Sequence, residues 1–169
     1  MLVNRVAQSK LLTFNLETLL PEVPRAHFDL KTYLWRELVL KEKDFRAALQ
    51  THDWAQYVGK DLLVYCSNDA IIPTWAHMLV ATYAAPHANC VFSGNEERFL
   101  EAAFRKAILN LDMSDYLDKM VVIKGCGDAR VPLSAYVELT ARMQPVVKSL
   151  MFGEPCSTVP LYKKRLPKK

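Results

Sequence analysis

Three cysteines each stand four to seven residues before a proline: Cys66 ahead of Pro73, Cys126 ahead of Pro132 and Cys156 ahead of Pro160. In the first two cases the cysteine follows an apolar run of strand length and the proline opens a helical pattern, in DLLVYCSNDAIIP and MVVIKGCGDARVP. Thiolates bind zinc and iron–sulfur clusters, and three of them with one further ligand complete a four-coordinate site. Cys66, Cys126 and Cys156 are therefore the candidate metal ligands. Pro155 and Pro160 bracket Cys156 and hold its loop extended, which positions a ligand at small entropic cost. Against a metal stands the spacing. Ligand cysteines commonly come as CxxC pairs, whereas the four cysteines here fall singly at positions 66, 90, 126 and 156. A cysteine at a crowded strand end is also a common small buried residue.

The same placement suits a nucleophile. A thiol ahead of a helix N-terminus feels the positive end of the helix dipole, which favours the thiolate. Cys126 is the first candidate and Cys66 the second. Asp128 and Asp69 occupy like places in the two loops and could serve as bases or ligands, or cap the helices that follow. Gly125 and Gly127 flank Cys126 and allow a ligand to approach the backbone closely, so Cys66, Asp69, Gly125 and Gly127 form the candidate cofactor-binding set. Neither GxGxxG nor GxxxxGK occurs. Arg130 stands at Cys-x3-Arg rather than the Cys-x5-Arg of a phosphatase loop, which argues against that chemistry. His77 lies one turn inside the helix after Cys66, where a lone histidine is usually a core residue; His52 is the other histidine of note.

These residues need a scaffold, and the apolar periodicity supplies one. Leu11 to Leu16 reads as a strand. Asp29 can cap a helix through Leu30, Tyr33, Leu34 and Leu38, with Glu37 to Leu40 as an alternative strand. Lys41 to Thr51 is helical. Leu62 to Tyr65, Ala88 to Phe92 and Met120 to Ile123 are continuous apolar strands. Between them lie helices over Pro73 to Ala85 and Glu96 to Asn110, the second opened by a Ser93/Glu96 capping box. A long helix over Pro132 to Phe152 is interrupted at Pro145. Strands alternating with helices predict an α/β fold: a single domain over 1–162, a three-layer sandwich around a mainly parallel sheet with right-handed crossover helices. Ligands in such sheets bind outside the carboxyl ends of the strands, where Cys66, Ser93 and Cys126 stand. Strand polarity in one common sheet would bring Cys66 and Cys126 to the same edge.

Of 22 basic residues five lie in the last seven positions, so 1–162 carries 17 basic against 18 acidic side chains. The net charge of +4 belongs to the tail, 163–169, which reads as a flexible basic terminus. The tail holds no aromatic residue and so offers no stacking platform, which argues against nucleic acid. No apolar run reaches membrane-helix length and the first ten residues lack a signal-peptide core, so no membrane is expected and a cytoplasmic location is.

The stretches LKEKDFRAALQTHDW, NDAIIPTWAHML, VVIKGC and VPLSAYVELTARMQPVVKSLMFGEPCSTVPLYKK together resemble the uncharacterised bacterial family called domain of unknown function 2480, from about Val3 to Lys164. The resemblance carries no activity and transfers no catalytic residue. It implies a context in iron–sulfur assembly, which favours the metal. Two functions follow. One is an assembly or accessory factor holding zinc or an iron–sulfur cluster through Cys66, Cys126 and Cys156, with a protein partner or a second copy of itself. The other is a thiol-dependent enzyme acting on a small anionic substrate at the carboxyl edge of the sheet. A scaffold with buried structural thiols is the third outcome.

Overall fold

The computed structural model describes residues 11–20, 22–124, 131–154 and 157–165. In chain order the strands are β1 (Leu11–Phe14), β2 (Arg25–Asp29), β3 (Leu34–Trp35), β4 (Val39–Leu40), β5 (Asp61–Tyr65), β6 (Cys90–Ser93), β7 (Met120–Ile123), β8 (Ser149–Glu154) and β9 (Ser157–Lys163). The α-helices are α1 (Glu42–Thr51), α2 (Thr74–Ala84), α3 (Glu96–Asn110) and α4 (Leu133–Met143). The fold is α/β and its sheets are mostly parallel, as the alternation predicts. The chain forms two compact units, Glu22–Phe99 and Met1–Pro21 with Leu100–Lys169.

In the Glu22–Phe99 unit β5 is the centre of a three-stranded parallel sheet, flanked by β2 and β6. Leu62, Leu63 and Val64 are all buried, so β5 is covered on both faces, the condition under which a parallel strand reads as a continuous apolar run. Helix α2 makes the crossover to β6 and buries Ala76, Val80 and Ala84 at helical spacing against that core. Helix α1 adds Phe45 and Leu49. Trp54 donates its indole N–H to the Leu49 carbonyl at 2.9 Å, satisfying an acceptor that the end of α1 leaves open.

The stretch after Asp29 departs from the expected helix. Leu30–Tyr33 makes a 3-10 turn, after which β3 and β4 form a hairpin pairing Leu34 with Leu40 and Trp35 with Val39. The apparent helical spacing belongs to that single turn. The hairpin then turns Leu34 and Leu40 toward the core and leaves Trp35 and Val39 exposed. Its turn residues Arg36 and Glu37 take φ of 50° and 60°. The strand β2 was not expected from the sequence either, because RAHFD mixes charge with apolar residues at its ends.

In the other unit β7 lies between β1 and β8, both parallel to it, and β9 closes the sheet antiparallel to β8. Phe104 and Ile108 of α3 pack with Ala135, Leu139 and Met143 of α4 over Val121, Ile123 and Leu150. The helix expected to run to Phe152 stops at Met143. Pro145 has no N–H to continue it, and from Ser149 the chain pairs with β7 instead. Arg142 donates to the carbonyls of Leu109 and Leu111, the latter at 2.8 Å, and so caps the end of α3. Two residues counted with the basic tail, Lys163 and Lys164, have partners in the fold. Lys163 pairs with Ser149, and Lys164 holds Asp118 at 2.7 Å.

The three strands expected in one sheet are therefore divided. β5 and β6 are parallel neighbours, and β7 belongs to the other sheet. The sequence could not show this, because the apolar runs of β5 and β7 are interchangeable in type.

Candidate functional site

The carboxyl ends of β5 and β6 lie on one edge because the two strands are parallel neighbours. From β5 the chain passes into Cys66 and Ser67; from β6 it passes from Ser93 through Gly94 and Asn95 into α3. These residues, with His77 of α2 and Arg98 of α3, line a polar cleft of about 540 Å³ floored by Val64 and Tyr65.

Each lining residue has a local reason for its place. Asn95 is the cap of α3: its Oδ1 accepts from the Arg98 N–H at 3.1 Å, and its carbonyl accepts from Phe99. It takes the role expected of Ser93 with Glu96. Gly94 donates its N–H to the Val64 carbonyl at 2.9 Å, fastening the loop across the strand end. Its φ of +149° and the Phe92 ring 2.9 Å from where a Cβ would stand both exclude a side chain. Arg98 is exposed and its guanidinium makes no ion pair among the described residues.

His77 Nδ1 is buried and has no hydrogen-bond partner among the described residues. Burial lowers the imidazole pKa below its usual value, so the ring is neutral at pH 7. Cys66 is half-buried at the cleft.

The loop that carries Cys66 is tied to two other elements. Asp29, the last residue of β2, pairs with Tyr65, and its Oδ1 accepts from the Ser67 N–H at 2.9 Å and from Lys31 N–H at 3.0 Å. Burial by itself would raise the Asp29 carboxyl. Hydrogen bonds from Ser67 and Lys31, with the Lys31 charge, outweigh it and hold the pKa below the ordinary value. Asn68 Nδ2 donates to the Glu37 carbonyl in the β3–β4 turn.

Of the residues singled out from sequence, Cys66, His77 and Ser93 line this cleft. Asp69 is exposed and does not line it. Cys90 is exposed and pairs with Asp61, at the other end of β6 from the cleft. His52 packs half-buried against the aromatic side of the core instead. Its Nε2 lies 2.9 Å from the Tyr57 hydroxyl, among Phe28 and Trp54, and burial together with Tyr33 and Asp53 pushes that hydroxyl up to about 12. Gly125, Cys126, Gly127, Asp128, Arg130 and Cys156 lie outside the described residues. The expectation that Cys66 and Cys126 share an edge rested on one common sheet, and the strands before them lie in different sheets. Among the described residues no group of three or more histidine, cysteine or acidic side chains is placed to hold a metal ion.

Sequence reasoning missed Asn95, Arg98 and Gly94, and read Asp29 only as a cap, which it is for the Leu30–Tyr33 turn, and not as a tie to the Cys66 loop. The signal was present in SGNEER directly after a strand, where a glycine and an asparagine precede a helix, but the Ser-x-x-Glu spacing drew the cap to the wrong residue.

A second cavity of about 650 Å³ lies in the other unit, between α4 residues Val137 and Ala141 and the sheet residues Ile123, Phe152 and Leu161. Its walls are mainly apolar, with Tyr136, Thr140 and Gln144 as the polar lining residues. No described helix is long and apolar enough to cross a membrane.

A protein-family model described as a protein of unknown function, DUF2480, matches residues 1–164. No curated protein and no solved structure matches the chain.

Proposed function

The chain belongs to the DUF2480 family of unknown function, and for it we propose a ligand site at the carboxyl edge of the β2–β5–β6 sheet that takes a small anion and presents it to the Cys66 thiol. The observation that carries this reading is the cleft itself: one recess gathers a thiol, an imidazole, two hydroxyls, a helix-capping amide and an arginine without an ion pair among the described residues. Arg98 supplies full positive charge and a forked donor suited to carboxylate or phosphoryl oxygens. The first turn of α3 adds backbone N–H groups and the positive end of its dipole. Ser67 and Ser93 contribute hydroxyl donors. A neutral His77 can accept a proton, which a thiol must lose before it attacks. Cys66 takes the nucleophile's place in this reading, at the edge where the sequence had set Cys126 first.

The reading of a zinc or iron–sulfur centre would need Cys126 and Cys156 as further ligands beside Cys66. Elemental analysis of anaerobically prepared protein separates it from the anion site.

The test is site-resolved alkylation of the full chain by iodoacetamide, read by mass spectrometry. Inorganic phosphate or sulfate is expected to slow modification of Cys66 in a saturable way and to leave Cys90 unaffected. Equal rates at Cys66 with and without the anions would overturn the proposal.

A further inference from the structure

We propose that Asp29 and Asn68 are positioning residues, a two-point clamp that sets the Cys66 thiol at the cleft; this rests on the reading of that cleft as the ligand site. The β2–β5 ladder ends where Asp29 pairs with Tyr65. Beyond that pair the backbone of the sheet has nothing more to offer, and the Asp29 carboxylate takes the next available donor, the Ser67 N–H. One residue further, Asn68 reaches a different element, the Glu37 carbonyl in the hairpin turn. Cys66 therefore sits between a ladder residue and two consecutive residues that are each tied to another part of the fold.

The two ties differ in strength. A carboxylate accepting N–H bonds is a charge-assisted interaction, stronger than the neutral amide bond of Asn68. Asp29 also holds the Lys31 N–H with the same oxygen, so the carboxylate joins the start of the 3-10 turn to the Cys66 loop. The hairpin turn that Asn68 grips uses Arg36 and Glu37 at positive φ, where Asn-Gly is the favoured pair, so the turn benefits from an external bond. With both ties in place the thiol is held half-buried; with either cut, the loop opens and exposes it.

The experiment alkylates the full-length chain with iodoacetamide and resolves Cys66 from Cys90 by mass spectrometry. Asp29→Ala and Asn68→Ala should each raise the Cys66 rate, Asp29→Ala by about tenfold as expected for losing a hydrogen bond to a charged group. Cys90 should keep its rate. Asp29→Asn retains an oxygen acceptor but not the charge, and its rate should fall between those of the wild type and Asp29→Ala. Unchanged Cys66 rates in both alanine variants, or equal acceleration at Cys66 and Cys90, would overturn the clamp. If Asp29→Ala does not fold, hydrogen exchange of the Ser67 amide in the wild type decides: protection is expected, and free exchange would refute the tie. Loss of phosphate protection is a separate readout, which tests the ligand site in the wild type and leaves the clamp untouched.

Discussion

Gly94→Ala is the sharpest structural perturbation of the cleft. Two costs add. At φ of +149° an L-residue is strained, by about 1–3 kcal/mol for a sparsely populated backbone region. The new methyl would also stand 2.9 Å from the Phe92 ring and 3.4 Å from the Arg98 Cβ. The ring cannot easily yield, because it packs edge-on against Phe99 with centroids 5.4 Å apart. Overpacking of this kind costs about 1–3 kcal/mol. At roughly 2–4 °C per kcal/mol for a chain of this length, the melting temperature should fall by roughly 5–20 °C. Gly59→Ala is the internal reference. Gly59 has φ of +73° with nothing within 4 Å of its would-be Cβ, so only the backbone cost of about 1–2 kcal/mol applies. Differential scanning calorimetry of the two variants side by side reads the difference. A Gly94 variant that loses no more than the Gly59 variant would refute the close packing of Gly94 against Phe92 and Arg98.

Stability should also follow pH in two windows. His52 and His77 both have lowered pKa values, chiefly through burial, so the unfolded chain takes up protons first; stability is full above the unfolded value near 6.5 and declines as pH falls through it toward the folded values. Urea unfolding at pH 7.5 and 5.5 checks this, and His77→Gln should flatten the decline; an unchanged slope would show that His77 is not the group that titrates. Asp29 acts in a more acidic window: hydrogen bonds to its charged form lower the folded pKa, so its contribution is present above 3.8 and is lost as pH falls through the folded value. Asp29→Asn should remove that acid-side component alone.

How far the sequence reveals this molecule depends on how local each signal is. The strands LLVY and MVVI and the helix Glu96–Asn110 are legible because continuous apolar runs and 3.6-residue periodicity are local properties. Which strands share a sheet is not local. β7 pairs with β1, more than a hundred residues earlier in the chain, and nothing in either segment marks the partner. β9 is hidden for another reason. Pro160 suggests a loop, yet as an edge strand β9 needs only one side of its ladder, and the register shifts between Leu150 and Met151 beside the proline. For the candidate site, the cysteine ahead of a helix marks the edge where the loops after β5 and β6 gather, since parallel strand polarity fixes where they lie. Arg98 and Asp29 were not legible, because a charged residue in the first turn of a helix and an aspartate at a strand end look the same whether they line a cleft or face solvent.

The central claim is that the edge formed by Ser67, Gly94, Asn95 and Arg98 binds an anion. Titration of isotopically labelled protein with inorganic phosphate, followed by amide chemical shifts, tests it most directly. Saturable shifts confined to Ser67 and the Gly94–Arg98 turn, abolished in Arg98→Ala with the remaining spectrum unchanged, are the predicted result. Shifts scattered over exposed lysines, or identical titrations in the wild type and Arg98→Ala, would contradict it.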